Sequence, residues 1–160
     1  MHVPADVVRA VLKTELAAME SMARVSGWIV EARLDELLVR VTMAAHTGEQ
    51  YFLVAEFDGY KALPPALDFA NQEFKEIGAA RFYPKATDSL FHTAPCICAP
   101  FNRKAYRQYA VNGPHSDWPI DQWAANKANG TNWSNLSTFG DMLGAIYLRL
   151  QKPRYVGRIG

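Results

Sequence analysis

The sequence predicts an α+β domain in which helices lie at the two ends of an antiparallel sheet. Three observations predict this class: an amphipathic first segment, a series of short strand-like runs separated by very short breaks, and a second amphipathic segment near the C-terminus. The chain has 160 residues, 49% of them hydrophobic. That length fits a single domain over residues 1–160 and is enough to bury one sizeable core.

The first segment, residues 4 to 24, has the spacing of an amphipathic helix. Its apolar side chains recur every three or four positions, at Val8, Leu12, Leu16, Met19 and Ala23. Charged side chains, including those of Arg9 and Lys13, fall mostly on the other side of this helix. Gly27 ends the segment.

Three runs rich in Val, Leu, Ile and aromatic residues follow, at 28–34, 37–45 and 50–57. The breaks between them hold two and four residues. Connections that short force neighbouring strands to be antiparallel, which predicts a meander. The Pro64-Pro65 pair holds the chain extended after the third strand, and residues 66–69 form a fourth short strand.

Between residues 71 and 131 the periodicity fades, and this stretch contains both cysteines. Long irregular segments on a rigid scaffold often carry function, so we expect the site here. A regular pattern returns at Leu136, Phe139, Leu143, Ile146 and Leu150. It predicts a final helix with Thr138 as its N-cap, Asp141 at the third helical position, and Pro153 as its stop.

The composition argues against several classes of function. A formal net charge of +1 argues against a protein that binds nucleic acid mainly by neutralising its phosphates. No apolar run approaches the roughly 20 residues that cross a bilayer, and the first residues lack the pattern of a secretory signal. Cys96 and Cys98 are too close in sequence for a structural disulfide. We therefore expect a cytoplasmic protein that binds neither nucleic acid nor membrane.

Three segments, in this order, resemble the ubiquitin-conjugating (E2) family. Residues 51–69 are similar to the third strand of that family and its YPxxPP segment, with Lys61 in place of the first proline. Residues 97–99, Ile-Cys-Ala, lie roughly where the family has Ile-Cys-Leu around its thioester-forming cysteine. Trp133-Ser134, followed by the last apolar pattern, is similar to the Trp-Ser and helix after that cysteine.

Two departures from the family are plain. Residues 81–85 echo its His-Pro-Asn triplet without the His or the Asn, and an insertion of about residues 99–131 follows the cysteine. These features resemble divergent bacterial E2-like proteins that accompany ubiquitin-like, E1-like and JAB-peptidase partners. The resemblance implies a UBC-like fold with an N-terminal helix, a four-stranded meander, a long irregular active-site segment and a C-terminal helix.

The resemblance also implies an activity that needs no cofactor and no metal. The protein would accept a ubiquitin-like modifier from an E1-like activating enzyme as a thioester on Cys98, and transfer it to an amine on a target protein. The first helix of E2 proteins docks the E1, which makes Arg9 and Lys13 candidate binding residues. A merely solvated helix face is the alternative for both.

A thiolate is the reactive form of cysteine, so the nucleophile should be partly exposed in an electropositive setting. Arg103, Lys104 and Arg107 follow Cys98 in the sequence, and we expect their charge to favour its thiolate. Cys96 is the reserve nucleophile. A small buried hydrophobic residue is the alternative for either cysteine.

His115 is the candidate base, or the group that orients the incoming amine in place of the missing Asn, since the preceding Gly113-Pro114 turn would present its imidazole to the thiol. A surface turn histidine packed against Trp118 is the alternative. Other classes of protein stay open: a non-catalytic UBC-fold binding module, a Cys-His hydrolase, or a zinc site made by His92, Cys96, Cys98 and His115. The Cys-x-Cys spacing disfavours zinc.

Overall fold

The computed structural model describes residues 2–85, 88–120 and 138–160, and the chain runs from a helix through a sheet to a second helix. The helices and strands are, in order, α1 (Ala5–Ser26), β1 (Ile29–Arg33), β2 (Leu38–Ala44), β3 (Gln50–Glu56), β4 (Ala66–Ala70), β5 (Phe91–His92), β6 (Cys96–Ile97) and α2 (Phe139–Gln151). The predicted α+β class, with an N-terminal helix, a four-stranded antiparallel sheet and a C-terminal helix, is confirmed.

The sheet has the order β1-β2-β3-β4, and each strand pairs antiparallel with the next. Val41 of β2 lies opposite Val30 of β1 and Leu53 of β3. Alternate residues of β2 are fully buried on one face, while Arg40 and Thr42 on the other face are half-buried. This period of two is what a sheet covered by helices on one face requires.

Both helices contribute to a single hydrophobic core with the buried face of the sheet. Helix α1 buries Leu12 and Met19, and α2 buries Leu143 and Ile146. The helices approach closely at Gly140, where a Cβ atom would lie 2.9 Å from the Cβ of Met19. A residue without a side chain is therefore needed at this contact.

The start of α2 is fixed by two side chains. Thr138 is the N-cap, and its Oγ1 accepts a hydrogen bond from the Asp141 N–H at 3.2 Å, which confirms the predicted cap. The second side chain, Glu15 of α1, was not predicted to take part. Its Oε2 accepts from the Phe139 N–H at 2.9 Å and from the Tyr60 hydroxyl at 2.8 Å. Glu15 thereby ties α1 to the first turn of α2.

The segment that contains the cysteines is less irregular than expected. Residues 91–92 and 96–97 form a two-stranded hairpin, β5 and β6, in which His92 lies opposite Cys96. Two-residue strands leave no periodic signal in a sequence, which is why the pattern did not reveal them. Trp133, Ser134, Leu136 and the part of the expected insertion beyond residue 120 lie outside the described residues.

Candidate active site

The two cysteines of the hairpin have different surroundings. Cys96 is buried in the core, and its thiol donates a hydrogen bond to the carbonyl of Lys104 at 3.4 Å. Strand β6 ends at Ile97, and the Ala99 N–H donates to the Ile97 carbonyl at 3.0 Å, so the chain turns at Cys98. Cys98 is half-buried. Of the two thiols, Cys98 is therefore the one that a reactant can approach.

The Cys98 sulfur lies 2.8 Å from Nε2 of His115. His115 lies seventeen positions after Cys98 in the sequence, and the loop between them folds back so that the two side chains meet. The backbone N–H of His115 donates to the carbonyl of Ala105 at 3.1 Å. Gly113 allows the return, since a Cβ there would come within 2.7 Å of the Tyr106 and Arg107 backbone.

An aromatic stack supports the imidazole. The His115 ring lies parallel to the indole of Trp118, with centroids 3.4 Å apart and planes within 5°. Trp118 in turn contacts the edge of the buried Tyr106 ring, at 5.4 Å between centroids. The Tyr106 hydroxyl donates to the carbonyl of Pro100 at 2.9 Å. The same tyrosine therefore touches the support of His115 and the segment just after Cys98.

Asn102 fixes the backbone on both sides of the thiol, and sequence reasoning missed it. Its side chain is fully buried. Its Nδ2 donates to the Ile97 carbonyl at 2.8 Å, while its Oδ1 accepts from the N–H groups of Leu67 and Lys104 at 2.9 and 3.1 Å. An asparagine four residues after a cysteine carries no recognisable pattern, so only the fold reveals this role.

Of the three predicted cationic neighbours of the thiol, Arg103 and Lys104 pair with carboxylates instead, so the prediction is wrong for these two. Arg103 turns the other way, donating to the Pro64 carbonyl at 3.0 Å and pairing with Asp58 at 3.0 Å. Lys104 pairs with Asp68 at 2.8 Å. Both charges are neutralised by carboxylates of the sheet and its connections, since a buried cation needs a partner.

Burial, rather than nearby charge, sets the protonation of the pair. It raises the pKa of the Cys98 thiol to about 11 and that of Cys96 to about 12. Burial also lowers the pKa of His115; Asp117 opposes that shift and His92 adds to it. Near neutral pH both partners are thus uncharged, and in the tautomer of His115 that carries its proton on Nδ1 the Cys98 thiol donates to Nε2.

A cavity of about 420 Å³ opens beside the pair. His92 and Thr93 of the hairpin line it together with Cys98 and His115. Asp88 lies at its edge and pairs with Arg149 of α2 at 2.6 Å. Burial acts to raise the pKa of Asp88, but hydrogen bonds from the Leu90 N–H and the Arg149 guanidinium lower it below its usual value. The polar residues that line the cavity thus supply two imidazoles, the hydroxyls of Ser89 and Thr93, and an ionised carboxylate around one thiol.

The other candidate residues do not join this cavity. Arg9 is half-buried and Lys13 is exposed, both on α1, and neither lines it. Within residues 2–85, 88–120 and 138–160, no three His, Cys, Asp or Glu side chains are grouped so as to hold a metal ion.

Comparisons with protein-family models, with curated proteins and with solved structures find no match to this chain. None of the described helices is long and apolar enough to span a lipid bilayer. The function is therefore inferred from the geometry of the site.

Proposed function

We propose that this protein is an E2-like acyl carrier, which holds a ubiquitin-like modifier as a thioester on Cys98 and passes it to an amine. The single observation that carries the proposal is the 2.8 Å contact between the Cys98 sulfur and His115 Nε2 at the mouth of a cavity. A protonated thiol is a poor nucleophile, and a base in contact with it removes that obstacle.

Loading of the modifier would proceed by exchange of one thioester for another. His115 Nε2 accepts the proton of the Cys98 thiol as its sulfur attacks the thioester carbonyl on the E1-like partner. A carbon–sulfur bond to Cys98 forms and the bond to the E1 sulfur breaks. The departing thiolate takes the proton from the imidazolium, so that His115 ends neutral.

Transfer would use the same base a second time. Once Cys98 is acylated, Nε2 has lost its thiol partner and is free to accept a proton from an incoming amine. The amine nitrogen attacks the carbonyl, the new carbon–nitrogen bond forms, and the bond to Cys98 breaks. The released thiolate recovers the proton from His115. The cavity beside the pair is where the side chain that carries the amine would enter.

The arrangement of the chain supports a UBC-like fold as part of this proposal. A first helix, a four-stranded antiparallel sheet, a segment with the cysteine and a last helix follow one another in the order that the resemblance implies. On the same basis we propose that Arg9 and Lys13 of α1 contact the E1-like partner.

A Cys-His hydrolase is the second candidate, and the direct contact between base and thiol favours it. In that case water, rather than an amine, would attack the acyl group on Cys98. The His115 ring has no third partner of the carboxylate type among the residues that the structure describes, so it differs from a Cys-His-Asp triad.

Trapping of the loaded form tests the proposal. The protein is mixed with an E1-like enzyme, nucleotide and a ubiquitin-like modifier, and a thiol-sensitive adduct is sought on a non-reducing gel. Cys98→Ala should abolish this adduct, and Cys96→Ala, the matched control, should retain it. Loss of the adduct in Cys96→Ala but not in Cys98→Ala would assign the nucleophile to Cys96. Absence of the adduct from the unsubstituted protein and from both variants would favour a binding module.

A second assay separates transfer from hydrolysis without any partner protein. A short peptide thioester ending in glycine is offered to the protein, and the acyl group on Cys98 is followed by mass spectrometry. A carrier should keep the acyl group until lysine is added and then form the amide. Release of the free acid at the same rate with or without lysine would support the hydrolase instead.

A further inference from the structure

We infer that Trp118 and Tyr106 are positioning residues that hold the His115 imidazole in line with the Cys98 thiol. The inference rests on the proposed role of Cys98 as the nucleophile. It goes beyond that role because it assigns to two aromatic rings the orienting task that a carboxylate performs in a Cys-His-Asp arrangement.

The need for a support follows from the position of His115. Its ring is half-buried on a segment without helix or strand, and an imidazole on such a loop has free rotation about two bonds. The ring contacts the Cys98 sulfur at 2.8 Å and stacks on the indole of Trp118 at 3.4 Å between centroids. A parallel stack fixes the plane of the ring, and the thiol then fixes its direction.

Tyr106 couples the two halves of the pair. Its ring is fully buried and packs on Trp118, so the indole has a rigid base. Its hydroxyl is bonded to the Pro100 carbonyl, two residues beyond Cys98. The neighbouring Ala105 carbonyl accepts a hydrogen bond from the backbone N–H of His115. The buried Tyr106 side chain and the adjacent Ala105 carbonyl therefore set the distance between the Cys98 sulfur and His115 Nε2.

Four titratable groups lie around the imidazole and bear on any pH profile. Cys98 is in contact with it, Asp117 and His92 interact with its charge, and Asp88 lines the same cavity. Trp118 itself does not titrate. A change of pH profile on replacing Trp118 therefore reports the engagement of His115 with the thiol, provided that the four groups are kept.

Alkylation of Cys98 by iodoacetamide tests the inference in the full chain without any partner. The rate is followed by mass spectrometry of the Cys98 peptide across pH. Near neutral pH, His115→Ala should lower the rate roughly a hundredfold, as expected for loss of a general base. Trp118→Leu should lower it roughly tenfold to a hundredfold through misplacement of the base. Trp118→Phe, which keeps a ring to stack on, should stay within about threefold of the wild type.

The pH profile provides the readout that a general loss of stability would not move. In the wild type the rate should fall only when His115 is protonated, below its ordinary pKa of about 6.5, and stay level through neutral pH. In Trp118→Leu this level region should vanish, leaving a rate that rises with thiol ionisation alone, as in His115→Ala. The double variant should match His115→Ala, since Trp118 acts through the imidazole.

Two results would overturn the inference: independent, multiplying effects of Trp118→Leu and His115→Ala, or a wild-type profile in Trp118→Leu. Tyr147→Leu is the matched control, because Tyr147 makes a similar edge contact with Trp28 away from the cavity. It should lower the unfolding temperature without changing the profile. The alkylation assay uses no E1, so a protein that an E1 does not load can still show the expected alkylation profile. Failure of the proposed function and failure of this inference are therefore distinguishable.

Discussion

Replacement of Glu15 by Ala should strongly destabilise the fold, because this carboxylate holds two buried donors. Its Oε2 accepts from the Tyr60 hydroxyl at 2.8 Å and from the Phe139 N–H at 2.9 Å. A hydrogen bond to a charged group contributes about 1.5–3 kcal/mol, so loss of both costs about 3–6 kcal/mol. Total stabilities of about 5–15 kcal/mol make this a large fraction. The ion pair with the half-exposed Lys61 adds little.

Urea and thermal unfolding measure the effect. For a chain of this length, a loss of 1 kcal/mol lowers the unfolding temperature by about 3 °C, so Glu15→Ala should unfold about 9–18 °C lower. Glu15→Gln keeps one oxygen that both donors can reach and should cost about 1–2 kcal/mol. Glu20→Ala, on the exposed side of the same helix, is the control and should stay within about 0.5 kcal/mol. A Glu15→Ala protein as stable as this control would contradict the assigned role of the two hydrogen bonds.

Three further predictions concern the cysteine segment and the second helix. Asn102→Ala removes three buried hydrogen bonds and should cost about 2–4 kcal/mol in urea unfolding, with slower alkylation of Cys98. Gly113→Ala forces a Cβ against backbone and should cost about 1–3 kcal/mol. At Gly144 the nearest atom to an added Cβ is the sulfur of Met22 at 4.0 Å, an ordinary contact, so Gly144→Ala should stabilise α2 by about 0.5–1 kcal/mol; equal effects would contradict the steric argument. Stability should decline above about pH 9, since burial raises the pKa of Cys98 to about 11 and the folded state keeps a proton that the unfolded chain releases; Cys98→Ala should make this decline shallower without removing it, because burial also raises the pKa of Cys96, to about 12.

The helices and the sheet were predictable because each follows from short-range periodicity. Breaks of two and four residues left the strands no choice but antiparallel pairing, and the Thr138 cap follows from its own position relative to Asp141. The burial of Glu15 also had a signal that was missed. It lies three residues after Leu12 and four before Met19, on the apolar side of α1.

The site could be predicted by residue type but not by arrangement. A cysteine and a histidine near a turn are suggestive, yet nothing in the sequence gives the distance between their side chains. Arg103 and Lys104 follow Cys98 closely in the sequence, but their side chains pair with carboxylates elsewhere in the fold. Proximity in sequence therefore did not predict the charge around the thiol. Asn102 had no pattern at all.

Patterns within a few residues were enough to predict the class of the fold, the order of its helices and main sheet strands, and which residue types are available for chemistry. Tertiary structure alone decided that Cys98 faces the cavity and Cys96 the core, and that His115 meets the thiol. Those outcomes depend on the path of an irregular loop. That path is set by contacts between residues distant in sequence: a close approach at Gly113 and the packing of Trp118 on Tyr106.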